Sequence, residues 1–438
     1  MTLSQRLDTL PLSRIHWKIV LTCGLGWFFD AMDAGIIAFV LAALLKKWHL
    51  SPEQVGWIGS IGLFGMFCGA LMSGAMADRV GRKYLFQATL LIFSIATGLC
   101  SLAIGYASLL VLRFLVGFGL GGELPVASTL VTEFSPAQHR GRLLVILESF
   151  WAFGWAAAAI VSFRIIPGFE NGWKIAFFIG FLPAFYVFYL RRSIPESPRF
   201  LAARGKTEEA HSILRWLEKE CHVEPAEIHE ETKGEQEQLP PKSLLAGKFA
   251  RRSIMLWILW FAMVYSYYGI FTWLPSLLVS AGHEMVKSFE YVLIITLAQI
   301  PGYFSAALLV DRIGRKATLV PYLFGCAGAA YLFGNASTPS QILFYGSLIS
   351  FFNLGAWGVV YTYTPELYPT EMRGRGAGTA AAIGRIGGIL APIVVGKILQ
   401  MGLGQPAVFA QFAVVVLAGA VTVALLGEET KQKRLEEI

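Results

Sequence analysis

Apolar stretches long enough to cross a membrane recur from one end of the chain to the other. Crossing the hydrocarbon core takes roughly 20 residues of helix. Twelve stretches qualify, at about 17–45, 55–77, 84–105, 108–132, 142–166, 173–191, 253–279, 288–310, 317–335, 340–364, 376–400 and 406–427. They lack period-two alternation and are too long for barrel strands. Each therefore predicts a helix that satisfies its own backbone groups within the bilayer. Between Arg191 and Arg252 the pattern turns charged and polar. Leu201, Ile213, Leu214 and Leu217 give a modest amphipathic face there, which predicts short surface helices, and EIHEETKGEQEQLPPK reads as a polar linker. The expected fold is all-α and membrane-embedded. It has a six-helix bundle over 1–191, a cytoplasmic linker with short helices over 192–252, and a second bundle with a cytoplasmic tail over 253–438.

An internal repeat supports that division. DRVGRK (Asp78 to Lys83) returns as DRIGRK (Asp311 to Lys316), 233 residues later. EFSPAQHRGR from Glu133 returns as ELYPTEMRGR from Glu366 at the same offset. Two matches in one register predict two parallel copies of a six-helix unit, one of the main transporter designs.

Composition narrows the reading. Mean hydropathy is +0.58 and only 15% of residues are charged, against about 25% in soluble domains. The net charge of +7 reflects topology, not a nucleic-acid partner. If the N-terminus is cytoplasmic, all but eight of the 36 Lys and Arg fall on the cytoplasmic side, the exceptions being Lys46, Lys47, Arg113, Arg164, Lys174, Lys287, Arg385 and Lys397. That is the positive-inside bias. Five scattered cysteines show no metal-type spacing and read as small core residues. The first 16 residues are polar and hold no cleavable signal, and the run that follows is long enough to remain as a span.

DRVGRK and DRIGRK, after the second and eighth spans, resemble the signature loops of the major facilitator superfamily. PESPRFL (195–201) and RFLVGFGLGG (113–122) resemble its sixth-span and fourth-span motifs. More narrowly, GGELPVASTLVTE (121–133), LESFWAFGW (147–155) and LRRSIPESPRF (190–200) resemble the bacterial niacin permeases. They are also similar to aromatic-acid transporters and synaptic-vesicle-protein relatives. The resemblance implies the major facilitator fold in a bacterial inner membrane, with both termini cytoplasmic. A monomer without cofactor or metal is expected.

In the motif loops, Asp78 follows a helix C-terminus, whose dipole disfavours an anion, so it is better placed facing a neighbouring helix N-terminus. Glu133 ends the fourth span and Arg142 begins the fifth, a carboxylate and guanidinium suited to charge-assisted bonds. Glu366 and Arg375 repeat the arrangement, and Arg82 and Arg315 lie in the two hexapeptides. In the superfamily such loops form an intracellular clasp, which implies that role for Asp78, Arg82, Glu133, Arg142, Asp311, Arg315, Glu366 and Arg375. Plain positive-inside charge would not explain acids at fixed spacing in both halves. Gly117, Gly119 and Gly122 match G-x-G-x-x-G, but a nucleotide site needs a preceding strand. In an apolar span these glycines predict close helix contact.

Charges inside the membrane are costly and need a partner or a task. The first span holds Asp30 and Asp33, the fourth Arg113 and Glu123, the fifth Glu148 and the eleventh Arg385. The i, i+3 spacing puts Asp30 and Asp33 on one helix face. They form either a polar cavity face or a proton carrier paired with Arg113, and Asp33 is also a candidate for facing substrate. In the sugar-porter branch a first-span acid resembling Asp30 pairs with a fourth-span arginine resembling Arg113, which implies proton coupling through that pair. Glu123 joins the group. Arg385 has no acid within a helical turn, and such a guanidinium suits an anion. The organic-ion branch resembles this site and implies a carboxylate substrate. A structural pair of Arg385 with Glu148 or Glu123 is the other reading.

Aromatic and polar residues complete the expected substrate site: Glu148 and Trp151 on the fifth span, Tyr265 and Tyr268 on the seventh, Gln299 on the eighth, and Asn353, Trp357 and Tyr361 on the tenth. Most membrane aromatics serve packing or interface anchoring, but together these suit a flat ring. YSYYGIFTW stands where sugar porters carry a Gln/Asn-rich seventh-span signature. The expectation is a secondary active transporter importing a small aromatic monocarboxylate, nicotinate first, by proton symport and alternating access. A benzoate or hydroxybenzoate permease and a sugar:proton symporter are the alternatives within transport. A channel would need a continuous polar pore, and a membrane enzyme would need a nucleophile–base set or cofactor motif, which the sequence does not offer.

Overall fold

The computed structural model describes residues 2–225, 244–368 and 370–431. The side chains of Asp78 and Asp311, and of a few other helical residues, lie outside the described set, as does the whole EIHEETKGEQEQLPPK segment. Among the described residues twelve helices are long and apolar enough to cross a membrane: Arg14–Lys47, Pro52–Ser73, Arg82–Cys100, Tyr106–Phe134, Arg140–Ile165, Gly172–Leu190, Phe249–Ser280, Met285–Val310, Arg315–Gly334, Pro339–Glu366, Met372–Gln400 and Gly404–Leu426. They are numbered below as the first to twelfth spans. The chain is a multi-pass membrane protein.

Local chemistry explains where the spans stop and break. The third ends at Cys100, earlier than hydropathy predicts, because Ser101 turns back to donate to the Gly98 carbonyl at 2.6 Å. Ser108 then accepts from the Ile104 and Gly105 N–H groups to start the fourth. The sixth is two helices, Gly172–Ile179 and Pro183–Ser193, and Pro183 opens the second piece, where its fixed φ and missing N–H are tolerated. The eighth breaks at Ala298, between Met285–Leu297 and Gln299–Arg312, just before Pro301, which removes a helical hydrogen bond.

Within each half the spans pack as a bundle, the second on the fourth and the first on the fifth, then the seventh on the eleventh and the ninth on the twelfth. Gly117 allows the second and fourth spans to touch, since a Cβ there would strike the Gly62 carbonyl. The halves meet most extensively where the second span packs on the eleventh, the first on the seventh and the fifth on the eighth. One face of the molecule carries the short helix Leu3–Thr9, the segment around Glu429 and both hexapeptides, and is called the motif face below. At the far face the halves are closed together. Ser60 Oγ donates to the Ile389 carbonyl at 2.6 Å, and the Phe39 and Phe289 rings meet edge to face at 4.9 Å.

The motif face is built of repeated polar contacts. Gly81 and Gly314 have φ of +104° and +113°, a conformation that favours glycine, and each precedes a span. Beside Gly81, the Glu196 carboxylate accepts the N–H groups of Arg82 and Lys83. Beside Gly314, Glu429 accepts those of Arg315 and Ala317. Each carboxylate thus sits on the positive end of a helix. The short helix Leu3–Thr9 docks on the helices Pro198–Ala203 and Thr207–Glu220 through Arg6–Glu218 at 2.6 Å and through Asp8, which takes both Arg140 and Arg199.

Candidate functional site

A cavity of about 600 Å³ lies between the two halves. Its lining runs from Trp27 and Arg385 in the middle of their spans to Gly141, Glu366 and Arg373 at the motif face, so it opens on that side. Its walls are aromatic. The Trp27 and Trp151 rings are tilted by 38° with centroids 4.7 Å apart, and Trp260 meets Trp357 edge to face at 5.5 Å. Trp151 donates its indole N–H to the Tyr267 hydroxyl at 2.7 Å, which ties the fifth span to the seventh. Tyr268, Tyr303 and Tyr361 add hydroxyls to the wall.

Away from the motif face, two charged side chains of opposite sign line this space: Glu148 from the first half and Arg385 from the second. Among the described residues neither has a carboxylate–cation partner within 4 Å. Arg385 meets only the Met66 sulfur, at 3.8 Å. Tyr361 is within electrostatic reach of both charges, and the Trp27 indole faces Glu148. Arg385 is thus not the internal ion pair that the sequence left open with Glu148 or Glu123.

The charges buried within the first and fourth spans lie behind the cavity wall. Arg113 Nη1 donates to Asp33 Oδ2 at 3.0 Å, and Thr97 donates to Oδ1 of the same carboxylate at 2.7 Å. The sequence left open which first-span aspartate pairs with Arg113, and it also offered Asp33 as a candidate for facing substrate. Asp33 is instead 1% exposed and turned away from the cavity. Asp30 contacts Glu123, and no donor among the described residues reaches the oxygens of either. The first and fourth spans run antiparallel, which sets this order. Asp33, farther from the motif face, meets Arg113 early in the fourth span, and Asp30 meets Glu123 ten residues later.

Three other expected cavity residues point elsewhere. Tyr265 donates to Gln411 Oε1 at 2.5 Å on the twelfth span. Asn353 donates to the Ser266 hydroxyl at 3.0 Å, and Gln299 is fully buried beside Tyr267. Tyr265 and Asn353 thus bond to neighbouring helices, as buried polar groups generally do, whereas the Gln299 amide has no hydrogen-bond partner among the described residues. The structure places Trp151, Glu148, Tyr268, Trp357, Tyr361 and Arg385 in the cavity. Trp27, Trp260, Tyr267 and Tyr303 were missed. Two carried a signal, since Trp27 and Trp260 stand 233 residues apart, in the register of the repeat.

The motif acids also find different partners. Glu133 pairs with Arg82 at 3.4 Å instead of with Arg142. Glu366 takes Arg315 in a bidentate bond, Nε to Oε2 at 2.9 Å and Nη2 to Oε1 at 2.8 Å, instead of Arg375. Arg142 and Arg375 are exposed. Both ion pairs lie within one half, so they stiffen a bundle and do not by themselves hold the halves together. Glu196 and Glu429, which brace these loops, were also missed, although they share the 233-residue offset.

With this geometry in hand, the comparisons are specific. Residues 28–438 match the family described as sugar (and other) transporter. The chain is 53% identical over its whole length, and the relative's, to the niacin transporter NiaP of Acinetobacter baylyi. It is 29% identical to the benzoate transport protein of the same species, over 97% of this chain and 92% of the relative. The fold superposes on the inward-open xylose transporter XylE from E. coli with a TM-score of 0.79 at 18% identity, covering 96% of this chain and 98% of that one.

Proposed function

The chain belongs to the sugar (and other) transporter family, and from that premise we propose that it imports nicotinate together with protons across a bacterial inner membrane. The observation that carries this reading is Arg385. A guanidinium without a carboxylate partner among the described residues faces an aromatic-walled cavity between the two halves. A planar aromatic acid completes it, with the carboxylate on Arg385 and the ring between the tryptophans. The name of the 53% identical relative supports the same substrate. A sugar fits less well, since its many hydroxyls would find few polar partners on these walls.

The cycle is alternating access. The halves rock about the cavity, and the lysine and arginine bias puts the motif face, and the open side, at the cytoplasm. Coupling rests on the first and fourth spans. Asp33 holds Arg113 while ionised, and a proton on Asp33 removes the attraction and frees Arg113 to move. The Asp30–Glu123 contact can form a hydrogen bond only when one carboxyl carries a proton, which gives the protein a second place to hold one. The Arg82–Glu133 and Arg315–Glu366 pairs keep each bundle rigid as it moves, and the chain works as a monomer.

A ligand panel on the purified protein tests the binding part. Nicotinate should raise the unfolding temperature; a ligand at about 100 times its Kd adds roughly 2.7 kcal/mol. Nicotinamide, which keeps the ring and loses the charge, should add far less, and glucose nothing. Stabilisation by nicotinamide equal to that by nicotinate would remove Arg385 from the account.

A further inference from the structure

The nicotinate reading explains Arg385 but leaves Glu148 with no task. Counting by the repeat, Glu148 corresponds to Ala381, which also lines the cavity, and Arg385 lies one helical turn beyond it. The two charges therefore face each other across the pseudo-twofold axis, one from each half. They are too far apart to pair, since no ion pair within 4 Å joins them. Around Glu148 stand Trp27 from the first span, Tyr303 from the eighth and Tyr361 from the tenth, besides Trp151 on its own helix. The Tyr303 hydroxyl is engaged with the Val145 carbonyl at 3.3 Å. The Trp27 indole faces Glu148 without closing a standard hydrogen bond.

An aromatic acid with no second polar atom would satisfy Arg385 and leave the Glu148 carboxyl stripped of water with nothing in return, which is unfavourable. A ligand with an anion at one end and a ring nitrogen at the other satisfies both. We propose that Glu148 reads the ring nitrogen of a pyridine carboxylate, one proton being shared between its carboxyl and that nitrogen while Arg385 holds the carboxylate. The proton count is the same from either side. A neutral ring nitrogen accepts from a protonated Glu148, and a protonated ring donates to an ionised one. The substrate then bridges the halves, from the fifth span to the eleventh. Glu148 becomes the residue that separates pyridine carboxylates from benzoates, on which Arg385 and the aromatic walls act alike. This rests on the proposed nicotinate site and assigns its second polar contact.

Equilibrium competition against labelled nicotinate on the full-length protein tests it, with benzoate, isonicotinate and picolinate as competitors. On the unaltered protein nicotinate should exceed benzoate by about 10-fold or more, the order expected for one unsatisfied buried polar group. The two isomers, whose nitrogen is moved round the ring, should fall towards benzoate. Glu148→Leu should bring nicotinate down to the benzoate level while benzoate binding persists. Glu148→Gln, which keeps a donor, should retain the preference. Benzoate and isonicotinate binding as tightly as nicotinate to the unaltered protein would overturn the proposal, as would an unchanged nicotinate-to-benzoate ratio in Glu148→Leu. Failure of the underlying site looks different: no saturable nicotinate binding at all, or binding indifferent to Arg385→Ala.

Discussion

Replacing Asp33 by asparagine separates the structural and the coupling roles of the first-span acids. Asp33 and Arg113 are 1% and 5% exposed at their side chains and meet at 3.0 Å. Two unit charges near 4 Å at an effective dielectric of about 20 attract by roughly 4 kcal/mol. Breaking a buried pair by removing one partner typically costs about 3–5 kcal/mol, because the survivor is left uncompensated. Asparagine keeps an oxygen for the Arg113 or the Thr97 donor, so about 2–3 kcal/mol is expected for Asp33→Asn. Asp30→Asn should differ in sign or be near neutral, since Asp30 has no cation beside it and an amide can donate to Glu123. Thermal unfolding in detergent reads the first effect. Proteoliposomes read the second: Asp33→Asn should still exchange labelled for unlabelled nicotinate and should fail to accumulate it on an inward proton gradient. An Asp33→Asn protein as stable as the parent, and accumulating nicotinate normally, would refute both the energetics and the coupling role.

Other outcomes follow from the same contacts. Arg385→Ala should lower nicotinate affinity by about 10-fold or more, since charge-assisted bonds contribute roughly 1.5–3 kcal/mol, with little change in unfolding temperature; equilibrium binding checks it. Gly314→Ala should destabilise by more than about 1 kcal/mol, because alanine is strained at a φ of +113° and its Cβ would meet the Glu429 carboxylate; unfolding of the variant measures it. Burial alone would raise the Glu429 pKa, but N–H donors from Arg315, Lys431, Ala317 and Thr430 hold it below the usual glutamate value. Its contribution is then fully present above about pH 4.3 and lost as the pH falls through the folded value. Glu429→Gln should therefore reduce stability at neutral pH and flatten its acid dependence, as unfolding followed across the acid range would show.

Much of the architecture is legible because membrane helices announce themselves by length and hydropathy, and because the 233-residue repeat fixes how they are grouped. Partner choice is harder. Asp30 and Asp33 sit one helical turn apart, so spacing alone allowed either to take Arg113. The antiparallel run of the first and fourth spans decides it, and that rule was available from the span order. Asn353, Tyr265 and Gln299 failed for another reason. A membrane span is apolar on its outward face as well as on its packed faces, so no hydrophobic stripe says which face meets the cavity, and a polar residue there reads equally as a ligand contact or a bond to the next helix. Glu196 and Glu429 were hidden by distance in sequence: each braces a hexapeptide more than 110 residues away.

Uptake of labelled nicotinate into proteoliposomes separates proton-driven import from passive exchange. Saturable accumulation above the outside concentration is expected when an inward proton gradient is imposed. A protonophore should collapse that accumulation, and counterflow should persist when no gradient is present. Uptake that never exceeds equilibrium, or that is indifferent to the proton gradient, would contradict proton-driven import.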